Sequence, residues 1–100
     1  MKTKFREIIV ESLEEVNLVR ETKIDLSDID GLTFYGTNGV FSSLGLVNFL
    51  STVEEKLEDE YDLEFTLTSE KAISRKISPF TNIQNLIDFM EELHSEILVG

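Results

Sequence analysis

Two adjacent serines stand at a loop-to-helix border in the stretch GVFSSLGLVNFL, residues 39–50, and their types and position could do chemistry. Leu46, Val47 and Leu50 begin a helical apolar spacing just downstream, so the helix opens at the serine pair. With Ser42 as N-cap, its hydroxyl can accept a hydrogen bond from an N–H of the next turn that has no partner within the helix. Ser43 is then the first helical residue, with its hydroxyl near the positive end of the helix dipole. A phosphodiester on that hydroxyl would be stabilised by the dipole and by the exposed N–H groups. An unmodified Ser-Ser cap is common and fits the same spacing.

Other catalytic and ligand patterns fail on their own requirements. SDIDGLTF places acidic residues before a glycine, as a calcium loop does, but with Gly31 at the loop's sixth position the first is Leu26 and the last is Thr37. GTNGVFSS lacks the lysine of a phosphate-binding P-loop. For a G-x-S-x-G elbow with Ser43 as nucleophile, glycine would have to replace Phe41. The single histidine, His94, lies near the end of the last helix and reads as a surface or boundary residue. Glu54 and Glu55 have no recognisable supporting residues for acid–base work. No nucleophile–base set and no metal set emerges, so the chain is not expected to be an enzyme or to hold a metal.

The elements around the serines follow from periodicity. Phe5, Ile8, Ile9, Leu13, Val16 and Val19 recur at helical spacing over residues 3–19, with Thr3 as N-cap. Residues 21–41 show no sustained period and are rich in turn formers (Asp25, Ser27, Asp28, Gly31, Gly36, Asn38, Gly39). Leu26, Ile29, Leu32, Phe34 and Tyr35 are scattered through them, which predicts a long loop lying across the core. The second helix, residues 42–61, carries the stripe Leu46, Val47, Leu50, Val53, Leu57 and Tyr61, with Leu44 and Phe49 off it. A brief extended piece at 64–67 and a short helix from Thr68 or Ser69 to Arg75 follow, and Pro79 breaks the chain. Thr81 with Gln84 reads as a capping box that opens a last helix striped by Ile83, Leu86, Ile87, Met90, Leu93 and Ile97. The expected fold is a single all-α domain over residues 1–100, a small bundle of three main helices plus one short one.

Charge narrows the partners. The net charge is −11, from 20 acidic against 9 basic side chains, which argues against binding nucleic acid through its phosphates. It fits either basic partners met in fast, salt-sensitive encounters or solubility alone. Carboxylates crowd the C-terminal half of the second helix, VEEKLEDEY, where they oppose the macrodipole. Helix stability does not explain them, which points to a partner-facing surface, with a plain solvated face as the alternative. Cysteine is absent, which removes disulfides and thiolate chemistry of the chain's own. The charged N-terminal stretch is neither a signal peptide nor a membrane span, and a cytoplasmic location is expected.

FYGTNGVFSSLGLVNFLSTVEEKLEDEY resembles the modification site and second helix of the acyl carrier protein family, whose members typically show Asp-Ser-Leu at this turn. Ser42, Ser43 and Leu44 take those places, so Ser43 matches the serine that the family esterifies with 4′-phosphopantetheine. The amphipathic first helix, the long loop, the acidic second helix and the short third one agree in order. The TLTSEKAISRKISPFTNIQNLIDFM segment is similar to the longer tail of stand-alone carriers, so nearly the whole chain is covered.

The resemblance implies a non-catalytic monomer that carries acyl or aminoacyl thioesters on the Ser43-linked arm, in lipid or secondary metabolite biosynthesis. It implies three kinds of partner: a phosphopantetheinyl transferase, an acyl- or aminoacyl-activating ligase, and acyl-transferring enzymes with basic surfaces. Leu44, Val47, Glu54 and Glu55 are expected to face them. The chain departs from the family at Ser42, where the family's aspartate also assists the transferase and its metal ion. That departure opens a second reading, a carrier-like protein that is not phosphopantetheinylated and serves as a protein-binding module.

Overall fold

The computed structural model describes residues 2–36, 39–64, 66–67 and 79–99. Three helices, α1 (Lys2–Val19), α2 (Ser43–Tyr61) and α3 (Ile83–Val99), make an all-α bundle, and a 3-10 turn at Ile29–Gly31 interrupts the long connection between α1 and α2. The predicted short helix at 68–75 lies outside the described residues.

Helix α1 buries Phe5, Ile8, Ile9 and Leu13, the face its sequence spacing marks out. Ser12 is buried on that face too, and its hydroxyl donates to the Ile8 carbonyl one turn back at 2.8 Å. Two expectations for α1 are corrected. Thr3 is not its N-cap, because the helix already includes Lys2. Val19 is 85% exposed, not part of the buried stripe. The cause lies at Asn17, whose side-chain carbonyl accepts from the Ile24 N–H at 2.8 Å while its amide donates to the Ile24 carbonyl at 3.0 Å. That double clasp turns the chain back beneath the end of α1, so Ile24 enters the core there.

Helix α2 buries Leu46, Phe49, Leu50, Val53 and Leu57. Phe49 was expected off the stripe, yet it is fully buried, because Phe34 and Phe41 of the connection come to meet it. The Phe41 and Phe49 rings stack at 4.9 Å, and Phe34 packs edge-on to Phe49 at 5.4 Å. Burying a side chain of this size contributes about 1.5–3 kcal/mol. At its C-terminus α2 closes on Asp62 in the left-handed region (φ 54°), a conformation aspartate tolerates better than most residues. The Asp62 and Leu63 N–H groups then satisfy the carbonyls of Glu58 and Leu57.

Helix α3 buries Ile83, Leu86, Ile87, Phe89 and Met90. Its cap is Asn82, whose side-chain oxygen accepts from the Asn85 N–H at 2.9 Å, and not the predicted Thr81–Gln84 box. The Thr81 carbonyl instead accepts the Phe34 N–H at 2.7 Å, and the Gln84 amide donates to Asp88 at 3.0 Å. His94 sits half-buried, edge-on to Phe5.

Helix α1 packs against both α2 and α3, and the 3-10 turn rests on α3. Lys4 near the start of α1 lies over the Tyr61 ring at the end of α2, and Phe5 meets His94 towards the end of α3. Helix α1 therefore runs antiparallel to both, and the N-termini of α2 and α3 share one end of the bundle. No helix among the described residues is long and apolar enough to cross a membrane.

Candidate functional site

The shared end of the bundle carries the serine pair. Ser42 has extended backbone (φ −72°, ψ 173°) and its hydroxyl accepts from the Gly45 N–H at 3.2 Å, so it is the N-cap of α2. Ser43 is the first residue of the helix and is exposed. Its Oγ lies 2.8 Å from the Tyr35 hydroxyl, a side-chain hydrogen bond in which either oxygen can donate.

Tyr35 reaches Ser43 because its segment is tied down as a strap. The Val40 N–H bonds to the Thr33 carbonyl and the Phe41 N–H to the Phe34 carbonyl, each at 2.9 Å, closing a loop between the two pairs. The Phe34 N–H is the one held by Thr81 at the start of α3. Inside the loop Gly36 takes a left-handed φ of 107°, and the Gly39 N–H bonds back to the Gly36 carbonyl at 3.0 Å. A Cβ on Gly39 would lie 2.7 Å from the Tyr35 Cα, so this close passage requires glycine.

Beside Ser43, Leu44 is 73% exposed, Val47 47% and Tyr35 41%. Three exposed large apolar residues thus lie close to one hydroxyl in sequence or by direct contact. The acidic residues divide. Glu55 is exposed, along with Glu58, Asp59 and Glu60. Glu54 is half-buried, and its carboxylate accepts the Leu67 N–H at 2.9 Å. Its position therefore answers first to the chain's own packing. Lys56 pairs with Glu15 of α1 at 2.9 Å. That hydrogen bond holds the Lys56 ammonium above its ordinary pKa against a smaller effect of burial, and the charges of Glu15, Glu11 and Glu60 add to it.

On the side of α2 facing the end of α1, Val16, Val19, Phe41 and Gly45 wall a groove of about 370 Å³. The Arg20 guanidinium lies over the Phe41 ring at 5.6 Å. Farther from the serines, Arg6 and Asp30 form a pair at 2.7 Å that pins the 3-10 turn to α1. The hydrogen bond to Arg6 holds the Asp30 carboxyl below the usual carboxylate range and raises the Arg6 pKa in return. Among the described residues no three or more Asp, Glu or His side chains are grouped to hold a metal ion.

Sequence reasoning located Ser42, Ser43, Leu44 and Val47 around one hydroxyl but missed Tyr35. No period or local motif singles Tyr35 out in the sequence, because its contact with Ser43 is set by how the loop folds back. No family model, curated protein or solved structure matches the chain.

Proposed function

We propose that this protein is an acyl carrier, or an aminoacyl carrier, modified on Ser43 with 4′-phosphopantetheine. The observation that carries the reading is the Ser43 hydroxyl itself: exposed, at the first position of α2, beside an N-cap serine and bordered by the exposed Leu44 and Val47. When attached, the arm supplies a terminal thiol that bears cargo as a thioester, chemistry this cysteine-free chain does not otherwise contain. Ser42 keeps the helix start ordered, so the anchor sits on a rigid element. N–H groups of the first turn and the positive end of the dipole favour the phosphodiester's charge.

Leu44 and Val47 present apolar contacts to partner enzymes, and Glu55 with its acidic neighbours presents the charge. Basic surfaces on a phosphopantetheinyl transferase, an activating ligase and acyl-transferring enzymes match that charge and raise encounter rates more than affinity. The protein itself catalyses no step in this reading and works as a monomer in the cytoplasm.

The test is intact-mass measurement after incubation with coenzyme A and a broad-range transferase. A gain of one phosphopantetheine, abolished in Ser43→Ala and retained in Ser42→Ala, is the expected result. Absence of any gain in the unaltered chain leaves the second reading, an unmodified protein-binding module that uses the same Leu44–Val47 surface. A gain that follows Ser42 instead overturns the assignment to Ser43.

A further inference from the structure

Resting on the carrier reading, we infer that Tyr35 is the positioning residue for Ser43, holding its hydroxyl in one orientation for phosphopantetheine transfer. The two hydroxyl oxygens stand 2.8 Å apart although both side chains are exposed to water. A solvated serine samples its staggered rotamers, and a side-chain partner at this distance selects the one that reaches it.

Three features make the partner a fixed one. The Phe34 N–H and carbonyl, immediately before Tyr35, are both bonded, to Thr81 and Phe41. Phe34 is fully buried against Phe49 of α2, which fixes the strap to the helix that bears Ser43. Gly39 lets the returning chain pass against the Tyr35 backbone. Tyr35 is 41% exposed, so core packing does not account for a tyrosine at this place.

In the transfer, Ser43 Oγ attacks the phosphorus of coenzyme A that bears the pantetheine. The Oγ–P bond forms as the P–O bond to the nucleotide breaks. Adenosine 3′,5′-bisphosphate leaves with the electron pair, and the serine proton passes to a base of the transferase. Before attack the two hydroxyls can donate in either direction. Once Oγ is esterified it has no proton, so the only bond that survives has Tyr35 donating. The same phenol thus holds the hydroxyl beforehand and has a donor to offer afterwards, with no movement of the strap.

The experiment compares the full-length chain with Tyr35→Phe and Tyr35→Leu as substrates of one transferase with coenzyme A, varying carrier concentration. Thermal midpoints are recorded alongside. Both variants are expected to lower kcat by roughly three- to ten-fold, the range for one lost hydrogen bond, with KM changed by less than about two-fold. Tyr35→Phe is expected to keep the parent's thermal midpoint, because it retains the ring. Equal rates for the parent and Tyr35→Phe overturn the role of Tyr35 and leave the carrier reading standing. A loss that appears only in Tyr35→Leu and tracks its midpoint also overturns it, assigning the residue to packing. A parent chain that gains no mass removes the carrier reading and this role together.

Discussion

Glu54 and the backbone of Leu67 are joined across 13 residues of chain, the carboxylate accepting the Leu67 N–H at 2.9 Å. Leu67 is fully buried, so this bond ties its backbone to α2 at the core. A residue that composition alone assigns to an acidic docking flank is thereby part of the fold.

Glu54→Ala is expected to lower stability by about 1–2 kcal/mol, since it leaves a partly buried N–H without its acceptor. Glu54→Gln retains a carbonyl acceptor and should lose less, while Glu55→Gln on the exposed side should change stability by under about 0.5 kcal/mol. Urea unfolding of the three variants checks the order. Equal midpoints for Glu54→Ala and Glu55→Gln would show that the bond contributes nothing in solution.

Two glycines should respond in opposite directions. At Gly39 a new Cβ meets backbone atoms of Tyr35 at 2.7 and 2.8 Å, which cannot move independently of the strap. Gly39→Ala is expected to cost about 1–3 kcal/mol. At Gly45 the nearest atoms, on Phe41 and Ser42, lie at 3.4 Å, and the site is inside α2. Gly45→Ala should therefore stabilise by about 0.5–1 kcal/mol through helix propensity. Thermal unfolding distinguishes them by sign.

The Arg6–Asp30 pair predicts a pH dependence. Asp30 has a depressed pKa in the folded chain, because Arg6 hydrogen-bonds its charged form. Its contribution is present above the unfolded carboxyl value of about 4 and is lost as pH falls through the lower folded value. The stability gap between the parent and Asp30→Asn should be constant from neutral pH to about pH 5 and close below about pH 4. Asp25, lowered by the Ser27 N–H, titrates in the same direction in both proteins and so cancels in the comparison. A gap that widens on acidification would contradict the pairing.

Ser42 allows a test of the helix start that is independent of the proposed function. Ser42→Ala removes the acceptor for the Gly45 N–H and should cost about 1 kcal/mol. Ser42→Asp restores an acceptor and places a negative charge in the favourable half of the dipole, so it should be at least as stable as the parent. Thermal midpoints in low salt decide this, and an alanine variant as stable as the parent would remove the capping argument.

Electrostatic recruitment makes a kinetic prediction. The on-rate of the protein to a basic transferase should fall several-fold as ionic strength rises from about 0.02 to 0.5 M, with a smaller change in off-rate. Glu55→Lys should lower the on-rate at low salt. Stopped-flow association measures both, and a salt-independent on-rate would count against steering.

Periodic apolar residues made the helices readable in advance: Phe5, Ile8, Ile9 and Leu13 on α1, and Ile83, Leu86, Ile87 and Met90 on α3, are buried as their spacing indicates. Val47, on the stripe by its spacing, is 47% exposed, and Thr3 lies inside α1; three other misreadings share one cause. Phe49, Val19 and Tyr35 take their environments from chain segments that are remote in sequence or locally irregular, where no period exists to follow. Phe49 is buried because Phe34 and Phe41 arrive beside it, and Val19 is exposed because Asn17 diverts the chain towards Ile24. The α3 cap shifted to Asn82 for a similar reason, since the Thr81 carbonyl holds the strap. Ser42 and Ser43 could be placed from neighbouring residues alone, since capping is local. The contact between Ser43 and Tyr35 depends on how an aperiodic loop folds back, and no local rule supplies that.

The Phe34–Thr81 bond has a mechanical consequence. It couples the strap bearing Tyr35 to the beginning of α3, although Ser43 belongs to α2. Unzipping the first turn of α3 would slacken the tether on the tyrosine while leaving the helix under the serine wound. In amide hydrogen exchange, Phe34 and Phe41 should then lose protection together with the start of α3, ahead of the body of α2.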